Sequence, residues 1–304
     1  MDETKTLKKF SIEQKKAQLG VLMLLPAIVI ICLIILYPLL TTLGLGFFKK
    51  SLMNPQAGTK FIGFQNFIYF FTNPIFWKAF LNNTLITVLG VFLQLAVGMI
   101  IALLLNMPLK ARGLLRGIMI LPWATPTFVA AFTWIWLLDA QYGIINLLLI
   151  NTGILKEGIA WLGRTETALG WVIVAHVWKG LPWVTMVLLS GLQMVPLELE
   201  EAAHVDGASG WKAFWKVTLP SMKSVVMIAA LLRIIWTFNW FDYVFLLTGG
   251  GPLDATMTWP VLIYKTGFEA YSFGRASALG VVMFLFLVVF TFQFFNILGK
   301  EEEL

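Results

Sequence analysis

The sequence contains very little cysteine, histidine and charge. Its 304 residues include one cysteine and two histidines, and 12% of them are charged. The cysteine, Cys32, lies inside an apolar run, so a disulfide framework is excluded and we expect this side chain to serve packing. The two histidines lie on different segments, with no carboxylate or cysteine at ligand spacing and no evident pair of nucleophile and base. These absences argue against a metal site and against an enzyme.

A phosphate-binding loop of the form G-x-x-x-x-G-K-[ST] is also missing. The triple-glycine segment 249–251 is followed by Pro252 rather than by the lysine and helix that hold a nucleotide phosphate. We therefore expect neither ATP hydrolysis by this route nor a cofactor. The net charge of +6 does not indicate nucleic-acid binding, because the basic residues gather at the ends of apolar runs, where they contact anionic membrane lipid.

What the sequence has in excess is apolar residues. Hydrophobic residues make up 59% of the chain, and the mean hydropathy is +0.83, which indicates a membrane protein. Apolar runs of spanning length predict an all-α fold with six transmembrane helices. We place them at 19–48, 80–105, 117–138, 168–195, 221–247 and 276–298.

This assignment divides the chain into a basic segment (1–18), a six-span domain (19–298) and a polar tail (299–304). Six spans put both termini on one side of the membrane. Lysines and arginines are more numerous on that side, which favours cytoplasmic termini. Pro122 and Pro126 lie near the start of the third span and predict that it is bent or locally unwound.

Two of the predicted spans carry polar and aromatic residues along one helical face, at spacings of three, four and seven residues. A lysine or arginine at the centre of a span costs about 3 kcal/mol on insertion scales, so it normally faces a cavity, a ligand or a partner helix. Donors, acceptors and flat rings on two such helices predict a wet cavity for a polyol such as a sugar. The candidate substrate-binding residues are His176, Lys179, Gly180, Trp183, Arg233, Thr237 and Trp240.

Other interpretations of these polar residues remain open. Lys179 and Arg233 could extend to the membrane interface or pair with Asp242 or Glu198, and tryptophans are common at the membrane surface. An ion-coupled secondary transporter of a polar solute is the main functional alternative, because intramembrane basic residues can bind or relay ions. Against that alternative, the sequence shows no internal inverted repeat.

The segment 196–220 is the polar passage of the second half of the chain. Residues 197–203 favour a helix, Gly207 can take the positive φ that ends it, and Ser209 can cap a second helix that we expect Pro220 to stop. The pattern predicts two helices joined by a turn.

Within this segment, Glu201-Ala202-Ala203, Gly207 and the run Val217 to Pro220 resemble the E-A-A motif of permease subunits of binding-protein-dependent ABC importers. In that family the motif forms a cytoplasmic coupling helix that docks on a separate ATPase subunit. The resemblance implies the type I importer permease fold. The residues to which it assigns the coupling role are Glu201, Ala202, Ala203, Asp206, Gly207, Leu219 and Pro220.

Further motifs are similar to the maltose and glycerol-3-phosphate branch of this family, in particular to the larger permease of maltose systems. They are Leu121-Pro122-Trp123, Trp178 to Pro182, Leu232-Arg233, Trp236, Phe241-Asp242 and Leu247 to Pro252. The resemblance implies a non-enzymatic subunit of a sugar importer, of the di- or oligosaccharide type, in a bacterial or archaeal plasma membrane. Its implied partners are a second, homologous permease, two ATPase subunits and an extracytoplasmic sugar-binding protein.

Overall fold

The computed structural model describes residues 12–51, 53, 56 and 58–302, and within them the chain is mostly helical. The first part of the chain forms α1 (Ile12–Ile31), a π-helical turn (Cys32–Leu36), α2 (Tyr37–Leu45), β1 (Phe48–Lys49), β2 (Lys60–Phe61), α3 (Gln65–Phe71) and α4 (Pro74–Asn106). The middle forms α5 (Arg112–Ala124), α6 (Thr127–Leu137), α7 (Ile144–Asn151), α8 (Thr165–Met194) and α9 (Leu197–Val205). The last part forms α10 (Gly210–Ala213), a π-helical turn (Phe214–Thr218), α11 (Leu219–Ser221), α12 (Lys223–Phe238), α13 (Asp242–Thr248), α14 (Trp259–Tyr264), a π-helical turn (Lys265–Glu269) and α15 (Phe273–Glu302).

Four helices in the described part of the chain are long and apolar enough to cross a membrane. They are Leu19–Leu45, Pro74–Asn106, Thr165–Met194 and Phe273–Ile297. Two further spans result if each of two bent helix pairs is counted once, namely Arg112–Ala124 with Thr127–Leu137 and Gly210–Ser221 with Lys223–Phe238. The number of candidate spans therefore reaches the predicted six.

The predicted break in the third span is confirmed. The axes of α5 and α6 differ by 93°. Thr125 and Pro126 have extended backbone between the two helices. Pro126 has no N–H to continue the ladder of hydrogen bonds, and it disfavours helical backbone at Thr125, which explains why the helix ends there.

The prediction of one continuous fifth span over 221–247 is wrong. Helix α12 ends at Phe238, and a separate helix, α13, starts at Asp242. The Asn239 side chain donates to the carbonyl of Ile235, 2.8 Å away. An asparagine that bonds to nearby backbone competes with the helical ladder, so it can end a helix within an apolar sequence that has no glycine or proline.

Several predicted boundaries also shift. The second span starts at Pro74 instead of residue 80, where Asn73 caps the helix by accepting from the N–H of Ile75. The last helix starts at Phe273 and includes residues 299–302 of the predicted tail. Helix α1 includes residues 12–18 of the predicted basic segment, whereas residues 1–11, 303 and 304 lie outside the described residues.

The long helix α8 is central and packs along α4. At one end of the molecule, Ala79, Leu138, Leu247 and Met257 belong to one buried cluster, so the start of α4, the end of α6 and the segment after α13 lie together. At the other end, Leu105 packs in a second cluster. That cluster also contains Leu188, Leu192 and Met222, which places the end of α4 beside the residues that flank the segment 196–220.

Candidate substrate cavity and coupling loop

The segment 196–220 folds as the predicted pair of helices. Helix α9 is followed by Asp206 and then by Gly207, whose φ of 79° lies in the left-handed region that glycine adopts without strain. The Ser209 hydroxyl caps α10 by accepting from the N–H of Lys212. These two predictions are confirmed. Pro220 does not stop the second helix, which continues to Ser221; Pro220 lies in the first turn of α11, where a proline is tolerated.

One side-chain hydrogen bond joins the two helices of this loop. The buried Thr218 hydroxyl donates to Oε1 of Glu200 over 3.0 Å. Glu200 therefore has a folding role, whereas its neighbour Glu201 is exposed. Of the other predicted coupling residues, Ala202, Asp206, Gly207 and Pro220 are exposed, whereas Ala203 and Leu219 are half-buried.

A groove of about 350 Å³ lies between α9 and the following helix. It is lined by the alanines of the motif together with the charged side chains of Asp206, at the end of α9, and of Lys212 and Lys216 in the second helix. The lining residues are Leu199, Ala202, Ala203, Asp206, Ala208, Lys212, Ala213, Lys216 and Val217. The loop thus presents small apolar residues beside charges of both signs.

A cavity of about 410 Å³ lies where the break between α5 and α6 meets α8 and α12. It contains four of the seven predicted substrate-binding residues, namely Lys179, Gly180, Arg233 and Trp240. The remainder of its wall is Trp123, Thr125, Pro126, Thr127 and Trp236. The cavity therefore combines basic groups, hydroxyls and three indole rings.

The other three predicted residues contact the lining residues or one another. Nε2 of buried His176 and the hydroxyl of buried Thr237 are 3.2 Å apart, and the His176 ring meets the Trp240 ring edge to face with centroids 4.8 Å apart. Trp183 contacts Trp236 in the same way, with centroids also 4.8 Å apart. The structure brings all seven residues into one cluster, in which His176, Thr237 and Trp183 support the lining residues.

Arg233 and Gln94 form a buried bridge between α12 and α4. The Arg233 Nε–H donates to Oε1 of Gln94 over 2.8 Å, and the Gln94 amide donates to the backbone carbonyl of His176 over 2.9 Å. The bridge passes beside Gly180, where a Cβ atom would come within 2.3 Å of both Arg233 Nη2 and Gln94 Nε2. Only a residue without a side chain leaves room for this contact.

Lys179 points toward the α5–α6 break. Its Nζ donates to the carbonyl oxygens of Pro122, at 2.9 Å, and Trp123, at 3.1 Å, and to that of Thr125. The hydrogen bonds of Lys179 and Arg233 thus go to backbone carbonyls and to Gln94 and not to Asp242 or Glu198, the carboxylates that the sequence left open, although Asp242 still interacts electrostatically with Lys179. Lys179 is also buried, which does not agree with an extension to the membrane surface.

Sequence reasoning missed Gln94, Thr125 and Thr127. Gln94 is fully buried in the middle of an apolar helix, and a polar side chain there was a usable signal. Thr125 and Thr127 flank Pro126, and they reach the cavity because the chain bends there. Spacing along a regular helix does not reveal such residues.

Comparison with known proteins agrees with this architecture. The chain is 33% identical over 297 residues to the trehalose/maltose transport system permease protein MalF of Thermococcus litoralis, with 98% of both chains covered. It is 35% identical to the sulfoquinovosyl glycerol transport system permease protein SmoG of Agrobacterium fabrum, over 93% of this chain and 91% of that protein. It is 31% identical to the trehalose transport system permease protein SugA of Mycobacterium tuberculosis, over 93% of this chain and 89% of that protein.

The fold also matches a solved structure, that of a bacterial ABC transporter involved in the import of the acidic polysaccharide alginate. The TM-score is 0.81 at 22% identity, over 95% of this chain and 97% of that chain. The architecture is therefore that of a type I ABC importer permease. A family model described as the binding-protein-dependent transport system inner membrane component matches residues 94–301, and the chain belongs to this family of multi-pass transport permeases.

Proposed function

We propose that this chain is one permease subunit of an ATP-driven sugar importer, and that the cavity at the α5–α6 break is part of the sugar path. The cavity carries the proposal, because it places threonine hydroxyls, the Arg233 guanidinium and three tryptophan rings among otherwise apolar helices. Sugars bind through hydrogen bonds at their hydroxyls and through contact of their ring faces with aromatic side chains. The names of the trehalose/maltose and sulfoquinovosyl glycerol relatives support this substrate class.

The assembly is part of the same proposal. We infer a second, homologous permease, two ATPase subunits that dock on the loop around Glu201, and an external sugar-binding protein. Such a periplasmic partner is present in a structural relative of this chain, described as the bacterial alginate ABC transporter in complex with alginate pentasaccharide-bound periplasmic protein. Alternating access would open the cavity first to the outside and then to the cytoplasm.

Replacing Trp240 by alanine should reduce sugar uptake by about two- to tenfold, because one aromatic surface worth roughly 0.5–1.5 kcal/mol beyond area burial is lost. Assembly and basal ATP hydrolysis should persist. The measurement is uptake of labelled trehalose, maltose and an acidic oligosaccharide by the reconstituted complex. Trp136→Ala is the matched control, since Trp136 is 82% exposed on α6 and does not line the cavity.

Two outcomes of the Trp240→Ala experiment would contradict a role of this residue in sugar binding. A parallel loss of assembly and hydrolysis in Trp240→Ala would show a packing role, since the ring also stacks on Tyr243 with centroids 5.0 Å apart. Unchanged uptake of every sugar that the wild-type complex transports would remove Trp240 from the sugar path. Trp240→Phe keeps a ring and should retain more uptake than Trp240→Ala.

The proposed orientation places the loop after α6 outside and the turn after α4 in the cytoplasm. Tyr142→Cys and Leu109→Cys test it in a Cys32→Ser background, because Tyr142 is 87% exposed and Leu109 is 42% exposed at opposite ends of the molecule. A membrane-impermeant thiol reagent should label Tyr142→Cys in intact cells and Leu109→Cys after the membrane is opened. The reverse labelling pattern would show that the termini lie outside.

A further inference from the structure

The break between α5 and α6 leaves a set of backbone carbonyls without their helical partners. In a regular helix the carbonyl of residue i accepts from the N–H of residue i+4, so the partner of Pro122 would be residue 126. That residue is proline and has no N–H. Thr125 has a ψ of 132°, outside the helical range, and the 93° bend separates Trp123 from the following turn. Such carbonyls are costly within a membrane unless other groups in the protein satisfy them.

Lys179 satisfies these carbonyls from the neighbouring helix α8. An ammonium group has three N–H donors, and Nζ of Lys179 donates to Pro122, Trp123 and Thr125. Lys179 is 6% exposed, so water does not provide an easy substitute. With its donors directed to the backbone, the ammonium has no N–H left for a sugar hydroxyl.

The residues at this break form one wall of the cavity. Trp123, Thr125, Pro126 and Thr127 all line it, together with Arg233 and Trp240. The position of the wall at the break depends on how the chain bends between α5 and α6. A group that holds the carbonyls at the bend therefore also holds the shape of the cavity.

We propose that Lys179 is a positioning residue that fixes the bend of the third span, and that it does not bind the substrate itself. The proposal rests on the proposed function only in treating the cavity as the sugar path; the role at the bend stands independently. On this proposal, Lys179 lies within the membrane because it stabilises the bend, and this role does not depend on the charge of the substrate. We also predict that the effect of losing Lys179 is the same for neutral and acidic sugars.

The bend can be measured directly in the assembled complex, with a Cys32→Ser background in this chain and cysteine-free partner subunits, reconstituted in lipid. Spin labels at Leu115→Cys on α5 and Phe132→Cys on α6 report the distance across the break, since both positions are exposed. Lys179→Met removes all three donors and should broaden the distance distribution, with loss of the wild-type peak. Labels at Val88→Cys on α4 and Phe284→Cys on α15 should keep their distance, which shows that the remaining bundle is intact.

Lys78→Met is the matched control substitution. The Nζ of Lys78 also donates to a backbone carbonyl, that of Leu253, over 2.7 Å, but it does so away from the break. This variant should leave the distance between positions 115 and 132 unchanged. An unchanged distance in Lys179→Met would overturn the proposed positioning role.

Transport supplies the second readout. Uptake of labelled trehalose and of an acidic oligosaccharide should fall by about tenfold or more in Lys179→Met, by a similar factor for each sugar that the wild-type complex transports, because buried carbonyls are left unsatisfied. Loss of acidic-sugar uptake alone would show a direct charge contact and contradict the proposal. A wild-type complex that transports no sugar would contradict the proposed function, while the distance measurement would still decide the role of Lys179.

If Lys179→Met does not assemble, Lys179→Gln is measured with the same labels. Its amide keeps two N–H donors and has no charge. We expect a partly retained wild-type peak, because a shorter side chain with two donors cannot reach all three carbonyls. Full retention of the peak would show that the bend does not depend on these hydrogen bonds and would overturn the proposal.

Discussion

Glu201→Lys should abolish ATP-driven uptake while the permease still folds and inserts. Glu201 is exposed on α9, and within the described residues it makes no side-chain hydrogen bond, in contrast to Glu200, which bonds to Thr218. A carboxylate that is not needed by its own chain is available to a docking partner. Reversal of a charge that becomes buried in an interface costs about 2–5 kcal/mol, which is enough to separate the permease from the proposed ATPase subunits.

The measurement is co-purification of the ATPase subunits, together with sugar-stimulated ATP hydrolysis and uptake. Glu157→Lys is the matched control, because it makes the same change in charge at an exposed site on the opposite end of the molecule. It should co-purify and transport as the wild type does. If the Glu201→Lys complex transports at the wild-type rate, the docking role of this residue is wrong. Failure of the variant to insert would instead indicate a folding role.

The turn in the segment 196–220 was predictable because its residues act locally. Gly207 has the positive φ expected of a glycine after a helix, and Ser209 accepts the hydrogen bond expected of a helix cap. The bend at Pro126 was predictable because proline removes a donor and disfavours helical backbone at the residue before it. Features set by the chemistry of one residue are therefore readable from sequence.

The partners of the intramembrane polar residues were not predictable in this way. Helical spacing placed Lys179 and Arg233 on inward faces, but it gave no information about which helix lies opposite. The partners are a glutamine on α4 and backbone carbonyls at a bend, and both are determined by tertiary packing. The break at Asn239 was missed because a side-chain bond to Ile235 ends the helix there without glycine or proline.

Gly180 shows the consequence of such packing most clearly. It lies at the point where α8 crosses the bridge between Arg233 and Gln94. An added Cβ atom would be 2.3 Å from Arg233 Nη2, 2.3 Å from Gln94 Nε2 and 2.8 Å from Gln94 Cδ. Arg233 and Gln94 have flexible side chains, but neither can move freely, because both take part in the chain of hydrogen bonds that ends at the His176 carbonyl.

Gly180→Ala should therefore destabilise the assembled complex by about 1–3 kcal/mol, the usual cost of overpacking a filled interior. It should also reduce uptake, because displacement of Arg233 and Gln94 alters the cavity wall that contains Arg233. Gly170→Ala is the matched control on the same helix, since a Cβ atom at Gly170 has nothing within 4 Å. Removal of that helical glycine should leave stability unchanged or raise it by about 0.5–1 kcal/mol.

Thermal unfolding of the two purified complexes, with uptake measured in parallel, compares them directly. Equal unfolding temperatures and equal uptake in the two variants would mean that Arg233 and Gln94 can move to make room for a methyl group without a loss of stability or transport. The close approach at Gly180 would then not be required for the cavity.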